Sequence, residues 1–424
     1  MNDGHVAESL VEWSRQVRRL PRARRLVEGL IRAVTALVPK QAGRIVVHGL
    51  DESEDGSLAV LAALRRRAVS PVRLTNGVAA SGFRLEGVRY RSKYTLAGFW
   101  SFARADVVIT SQALYGGLGG GARQQTVLLW HGELVKPVGL LNDDRALAAD
   151  IAPVCSPLAR VYRIAEFGLD PGHVPVIGSP RNDRLTAADR TAVRERLGWP
   201  TGQPTWLWLP TYRTAVRGER RRDGQERWRG LPYAVADLDR LDRMLAARGL
   251  TVVLKPHPLA EQGLQPQEPG ALRMLSQADL ERLGVSLYEL MAAADGLVTD
   301  ASSAWVDFLL VDKPLIFAFP DLEQYRADRG LNLEPYEDWV PGPIVADVSD
   351  LVEQISTTTA GADPYAGRRR RALRSFHQFR DDGSADRLLD LLGISRSSSS
   401  PSAASATTSP ADPRPRRERR RVSR

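Results

Sequence analysis

His131 and His257 are the histidines of this chain that sit in runs of polar residues able to act together. The first lies in Trp130-His131-Gly132-Glu133 and the second in Lys255-Pro256-His257-Pro258. An imidazole titrates near neutrality, so either can take or give a proton in a reaction. Gly132 permits close backbone approach. The prolines beside His257 reduce the entropy cost of holding it in place, and Lys255 points to an anion nearby. Two further runs suit anions. Gly178-Ser179-Pro180-Arg181-Asn182-Asp183 offers a guanidinium. Thr299-Asp300-Ala301-Ser302-Ser303 offers hydroxyls and backbone N–H groups at the start of an expected helix that contains Asp307. A helix N-terminus favours phosphate through its dipole and free N–H groups. Each run also has a plain structural reading. A strand-end histidine can be structural, Arg181 can sit on a surface turn, and Asp, Ser and Thr are ordinary caps.

The elements that must position these groups are short apolar runs alternating with helical stretches. Expected strands are Arg44–His48, Pro71–Leu74, Asp106–Thr110, Thr126–Trp130 and Val174–Ile177, then Thr205–Leu209, Thr251–Leu254, Gly296–Thr299 and Leu315–Ala318. Helical patterns at Ser57–Arg67, Ala234–Arg248, Leu287–Ala294 and Ser303–Leu310 separate them. Buried strands joined by crossover helices make parallel sheets, and open parallel sheets bind ligands past the carboxyl ends of their strands. All four polar runs follow a strand. The expected organisation is a basic amphipathic helical segment over 1–42, α/β domains over 43–198 and 199–393, and a disordered basic tail over 394–424.

Composition narrows the field. With 59 Lys plus Arg against 50 Asp plus Glu, the 424-residue chain carries +9. From Ser395 onward eight arginines face only Asp412 and Glu418, a surplus of +6. The centre is near neutral, so charge alone does not argue for nucleic acid, and none is expected as a partner. Cys155 is the sole cysteine, which excludes an internal disulfide and a cysteine-based zinc cluster. His5, His48, His173 and His377 have no partners at metal-ligand spacing, and no metal is expected. No run approaches the roughly 18 apolar residues of a spanning helix, and the N-terminus lacks a signal-peptide pattern. The glycine-rich stretch Gly116–Gly121 lacks the spacing of a dinucleotide or Walker loop, and the arginine-rich stretch Arg217–Arg229 reads as a solvated loop. Between Leu10 and Pro39 an apolar stripe (Leu26, Leu30, Val34, Leu37 among others) runs beside Arg15, Arg18, Arg19, Arg22, Arg24, Arg25 and Arg32. It suits either packing on the next domain or lying on an anionic membrane.

In order along the chain, the polar runs resemble the motifs of the CDP-glycerol glycerophosphotransferase family, which includes teichoic acid primases and polymerases. Trp130-His131-Gly132 with Lys136 and Gly139 is similar to its W-H-G-T-x-x-K-x-x-G, residues 178–183 to its G-x-P-R-x-D, and Leu209-Pro210-Thr211-Tyr212-Arg213 to its A-P-T-[WF]-R. His257-Pro258 resembles its H-P, residues 297–303 its L-I-T-D-Y-S-S, and residues 381–387 its D-G-x-A-x-x-R. Glu133 stands where the family has threonine, and Ala301 where it has an aromatic.

The resemblance implies a GT-B fold, two Rossmann-like domains facing across a cleft. The N-terminal domain would take the acceptor, the C-terminal one the CDP donor, with a last helix around Arg368–Leu392 packing across both. It also implies transfer of glycerol phosphate or a related polyol phosphate from a CDP-linked donor to a lipid-linked hydroxyl. CMP would leave, and no cofactor would be needed. His131 would serve as base and His257 as donor to phosphate or leaving group. Thr299, Asp300, Ser302, Ser303 and Asp307 would hold the pyrophosphate, with Arg181 and Arg213 as phosphate contacts. The expected location is cytoplasmic, on the inner face of the cell membrane. A sugar-nucleotide glycosyltransferase on the same fold and an inactive scaffold are the alternatives.

Overall fold

Nearly every expected strand forms, and each is short because its apolar run is short. A computed structural model describes residues 21–77, 81–115, 123–142, 144, 146–200, 202–211, 215–217, 220–222, 232–233, 235–257 and 270–395. The first sheet holds β1 (Gln41–His48), β2 (Val72–Thr75), β3 (Arg89–Ser92), β4 (Ala105–Thr110) and β5 (Gln125–Leu128), all parallel, in the order β3-β2-β1-β4-β5. The second chain half contributes β6 (Thr205–Trp208), the small antiparallel pair β7 (Ala215–Arg217) and β8 (Arg220–Arg222), then β9 (Thr251–Leu254), β10 (Leu272–Met274), β11 (Gly296–Thr299), β12 (Leu315–Ala318) and β13 (Ile344–Val345). Apart from β7 and β8 these make a six-stranded parallel sheet ordered β10-β9-β6-β11-β12-β13. Both sheets run outward from their first strand in opposite directions. Each therefore has a crevice at the carboxyl ends where the order reverses, beside β1 and β4 in one and β6 and β11 in the other.

Val174–Ile177, an expected strand, makes only an isolated bridge from Val176 to Val154. Pro175 lies within it, and proline cannot donate to a ladder. The expected single last helix is two, Ala366–Phe376 and Ser384–Leu391. Residues 377–383 separate them, ending in Gly383 at the cap of the second, which leaves the chain half expected to hold it. Its Ala385, Leu388 and Leu389 pack with Ile45, Val47 and Leu61 of the first domain. Arg67, with its side chain 1% exposed, pairs with Asp386 at 2.8 Å and Asp390 at 2.6 Å. The two-domain organisation is thus closed by a C-terminal helix that returns to the first sheet.

The helix Pro21–Leu37 forms within the basic N-terminal segment. Its end is fixed by Lys40, whose ammonium donates to Thr35 O at 2.6 Å and to Ala103 O at 2.8 Å. Residues 1–20 and the tail beyond 395 lie outside the described residues, as do Gly116–Gly121 and most of Arg217–Arg229.

Candidate active site

His131 follows β5 on a turn that the chain does not adopt freely. Trp130 has φ +54°, a left-handed conformation unusual for a residue with a side chain. Its indole is kept there by Phe167, edge-on at 4.8 Å, and by the Arg163 guanidinium 5.7 Å from the ring centre. The imidazole of His131 lies against the indole, with ring centres 4.3 Å apart. Nδ1 lies 3.3 Å from Ser111 O, just past β4. A carbonyl can only accept, so Nδ1 carries the proton and Nε2 presents its lone pair.

His131 and His257 share an environment that belongs to a cleft. Both keep solvent-exposed surface, yet both are surrounded by enough protein to depress their protonation strongly. His131 is pushed down to about 4 by desolvation, with Arg181, Arg163 and Lys136 adding to the effect. His257, just past β9, is pushed down to about 4 by desolvation, then by Lys136 and Lys255. The charge of Lys136 is felt at both rings, so both lie within its electrostatic reach. A Cβ added to Gly132 would stand 3.3 Å from Ser303 Oγ. The loop after β5 and the loop after β11 therefore approach at Gly132, and glycine there leaves the Ser303 hydroxyl room.

The site residues expected from sequence divide into two groups. His131, His257, Ser302 and Ser303 have accessible surface, and the Gly132–Ser303 approach brings His131 beside the serines. Ser302 Oγ accepts from Ala304 N at 3.3 Å, while Ser303 makes no side-chain cap bond to its helix, Ala304–Phe308.

The other described ones are buried and committed to protein partners. Thr299 Oγ1 donates to Leu209 O at 2.8 Å, and the Asp300 carboxylate accepts from Thr211 N at 2.9 Å. They tie the ends of β6 and β11 together rather than facing a ligand. Arg181, with 3% of its side chain exposed, donates to Asp307 at 3.0 and 3.2 Å and to Glu133 at 2.8 Å. Tyr288 Oη donates to the same Asp307 at 2.6 Å. Arg181 and Asp307 are thus an internal ion pair between the domains, not the open phosphate contacts expected of them. Asp183, in the same run, accepts from Ser384 N at 2.9 Å and Ala385 N at 2.7 Å, capping the returning helix. Gly178 explains its own place: its φ is +88°, and a Cβ would meet Ser384 Oγ at 2.3 Å. Arg213 lies outside the described residues.

Two groups around the site escape the sequence reading, and a third is visible in it only in part. Lys136 is legible only as a motif letter, and its electrostatic reach to two histidines needs the fold. Ser111, which sets the His131 tautomer, acts through a backbone carbonyl that leaves no sequence signal. Glu133 stood out as a departure from the family pattern. Among the described residues no group of three or more His, Cys, Asp or Glu side chains could hold a metal ion.

Comparison with known proteins converges on one group. The family model described as CDP-glycerol:poly(glycerophosphate) glycerophosphotransferase matches residues 52–393. A teichoic acid ribitol-phosphate primase of Bacillus spizizenii is 30% identical over 213 residues, 49% of this chain and 50% of that protein. A teichoic acid glycerol-phosphate transferase of Staphylococcus aureus is 22% identical over 331 residues, 72% of this chain and 80% of that one. The alignments with the first of these curated relatives span half of their length or less. In structure, the wall teichoic acid polymerase TagF superposes with a TM-score of 0.72 at 17% identity, over 91% of this chain and 97% of that one. The likeness establishes the fold as GT-B, two Rossmann-like domains about a cleft. Matched by its family model from Glu52 to Gly393, the chain belongs to the CDP-glycerol:poly(glycerophosphate) glycerophosphotransferase family.

Proposed function

We propose that this protein transfers a polyol phosphate, glycerol phosphate or ribitol phosphate, from a CDP-linked donor to a hydroxyl of a lipid-linked acceptor in the synthesis of a teichoic-acid-like polymer. The observation that carries the reading is a neutral, oriented and exposed His131 on the turn whose Gly132 approaches Ser303, with the Lys136 charge reaching both His131 and His257. The acceptor oxygen attacks the phosphorus bonded to the polyol. A new P–O bond forms, the P–O bond to CMP breaks, and the hydroxyl proton passes to Nε2 of His131. A base held near 4 is neutral at physiological pH and ready to accept. The donor's negative charges favour protonated imidazole, so the donor itself raises the basicity of His131. Lys136, His257 and the Ser302–Ser303 loop supply positive charge and donors where phosphate charge develops. The relatives named for ribitol phosphate and for glycerol phosphate leave both polyols as substrates to be tried.

The acceptor's lipid requires contact with a membrane, and no described helix is long and apolar enough to cross one. The first domain instead offers a cationic, partly apolar edge. Leu37 and Leu30 are exposed on the first helix, and Leu96 and Trp100 on one face of the helix Leu96–Ala103. Beside them Arg44 is held below its ordinary value by desolvation and by Arg89, Arg91 and Arg104. Four arginines so close together, with exposed leucines and an indole, suit an anionic lipid surface on the inner face of the cell membrane.

The test is a donor panel. The protein is incubated with CDP-glycerol, CDP-ribitol and UDP-sugars and a detergent-dispersed lipid bearing a terminal glycerol phosphate. CMP release from a CDP-polyol is expected. UDP release alone would make it a glycosyltransferase, and donor binding without turnover a scaffold.

A further inference from the structure

The three residues that follow Trp130 are each gripped differently. His131 is oriented by Ser111 O, and Gly132 O accepts from Arg163 Nη2 at 3.0 Å. Glu133, 6% exposed, turns inward. Its Oε1 accepts from Arg181 at 2.8 Å and from the Cys155 thiol at 3.3 Å, and its Oε2 lies 3.9 Å from Arg163. Arg181 in turn grips Asp307 at 3.0 Å. Asp307 sits in the helix Ala304–Phe308, whose start carries Ser303. Glu133–Arg181–Asp307 is therefore a continuous strap. One end is two residues from the His131 imidazole, the other four residues from the Ser303 hydroxyl. Glu133 Oε2 and Arg181 Nη1 are buried with no hydrogen-bond partner among the described residues. Each therefore depends on the charges around it, and loss of one member is felt by the rest.

We propose that Glu133 is a positioning residue: through Arg181 and Asp307 it fixes the His131 turn against the Ser303 helix start, and so governs the transfer step rather than donor affinity. The proposal rests on the transferase reading above. It is particular to this chain, since the family pattern carries threonine at this position and a hydroxyl is too short to provide the carboxylate that Arg181 engages here. A displacement of about 1 Å between reacting groups is enough to cost on the order of 10²-fold in rate. Glu133 touches neither substrate nor the proton in transit.

Glu133→Gln keeps the shape of the side chain and removes its charge. In CDP-glycerol turnover, followed by CMP release, kcat should fall about tenfold or more. Calorimetric donor Kd should stay within about threefold of wild type, the split expected when only the transition state loses stabilisation. Glu133→Asp, which restores a carboxylate, should recover part of the rate. Combining Glu133→Gln with Asp307→Asn should cost less than the product of the two single effects, as for residues acting through one network. A folded Glu133→Gln variant with wild-type kcat overturns the proposal, as does one whose loss lies in donor Kd. If Glu133→Gln does not fold, Glu133→Asp decides by the same two readouts: unchanged kcat overturns the proposal, reduced kcat at unchanged Kd supports it. Wild-type protein that releases no CMP from any CDP-polyol defeats the transferase reading. Active wild-type protein with an indifferent Glu133→Gln defeats this inference alone.

Discussion

The cleft and the core each hold two histidines, and the four imidazoles look alike until their nitrogens are followed. In the core His48, pushed down to about 3 by burial and by Lys93, meets Thr110 Oγ1 at 3.2 Å and Asn76 Oδ1 at 3.3 Å. His377 is also depressed by burial, and its Nε2 lies 2.7 Å from Val306 O. In the cleft His131 and His257 are also depressed, to about 4, while keeping open surface. A lowered proton affinity therefore does not mark a catalytic histidine here. The distinction is exposure: His131 and His257 keep accessible surface while His48 and His377 do not. His48 spends both nitrogens on the fold and His377 is buried against Val306 O, whereas His131 leaves Nε2 on an exposed ring.

The largest expected effect breaks or keeps that distinction directly. His131→Ala and His257→Ala should each reduce CMP release by about 10²-fold or more, the scale of losing a general acid or base. Donor affinity should fall more for His257→Ala. Near-normal turnover in His131→Ala would return His131 to the same class as His377. The next effect tests whether Ser302 and Ser303 belong to the cleft at all. Replacing both by alanine removes two hydroxyls, each worth roughly 1 kcal/mol, and more against charged oxygen. Calorimetry should show CDP-glycerol binding weaker by about tenfold or more with an unchanged melting temperature. Unchanged affinity would leave them as residues of the loop only.

How much of this was legible beforehand depends on the kind of interaction. Strands such as Thr251–Leu254, Gly296–Thr299 and Leu315–Ala318 were read to the residue, because parallel strands buried on both faces are continuous apolar runs between breakers. Arg89–Ser92 was missed, since an edge strand with two arginines carries no such run. The first histidine turn was legible because Gly132 and His131 sit at a strand end. Arg181 was placed in the right run but given the wrong partner. Sequence shows a cation beside a turn, whereas its acids, Glu133 and Asp307, come from 48 residues before and 126 residues after it. Long-range pairing of charges is what one-dimensional spacing does not encode. The break at Gly383 and the return of Ser384–Leu391 to the first sheet fail for a similar reason: the cap that starts that helix, Asp183, lies about 200 residues upstream.

The arginine edge and the basic tail extend the comparison to the surface. Near an anionic leaflet each basic residue contributes about 1 kcal/mol, an attraction that salt screens. Charge without an apolar face binds loosely, so the two ends of the chain should differ. The protein should pellet with anionic vesicles at low salt and be released at high salt. Deleting residues 1–40 should reduce the pelleted fraction severalfold, and more than deleting the tail after Ser395. Equal pelleting with neutral vesicles, or full pelleting after the N-terminal deletion, would return Pro21–Leu37 to a helix that only packs.

The smallest effect concerns the core histidine His48 and is read as stability. The folded-state proton affinity of His48 lies near 3, below the ordinary 6.5. Between those values the unfolded chain holds more protons at this site than the folded one, so stability rises with pH there and is lost on acidification. Asp55, pushed up to about 7 by burial, and Asp183, up to about 6 for the same cause, work the other way. Their folded forms hold extra protons, so their contribution is lost as pH rises toward 7. The two trends oppose one another in wild type, and a variant is needed to separate them. His48→Gln cannot titrate, yet its amide can still reach Thr110 and Asn76. Between pH 6 and pH 5 the His48 share is about 1 kcal/mol, since a full proton per pH unit corresponds to about 1.4 kcal/mol. For a protein of this size that is a shift of roughly 1 °C. Melting curves should show wild type losing about that much more than His48→Gln over the interval. Parallel losses would mean that His48 is already neutral in the unfolded chain or charged in the folded one, and its burial among Thr110, Asn76 and Lys93 would have to be tighter or looser than the contacts at 3.2 and 3.3 Å convey.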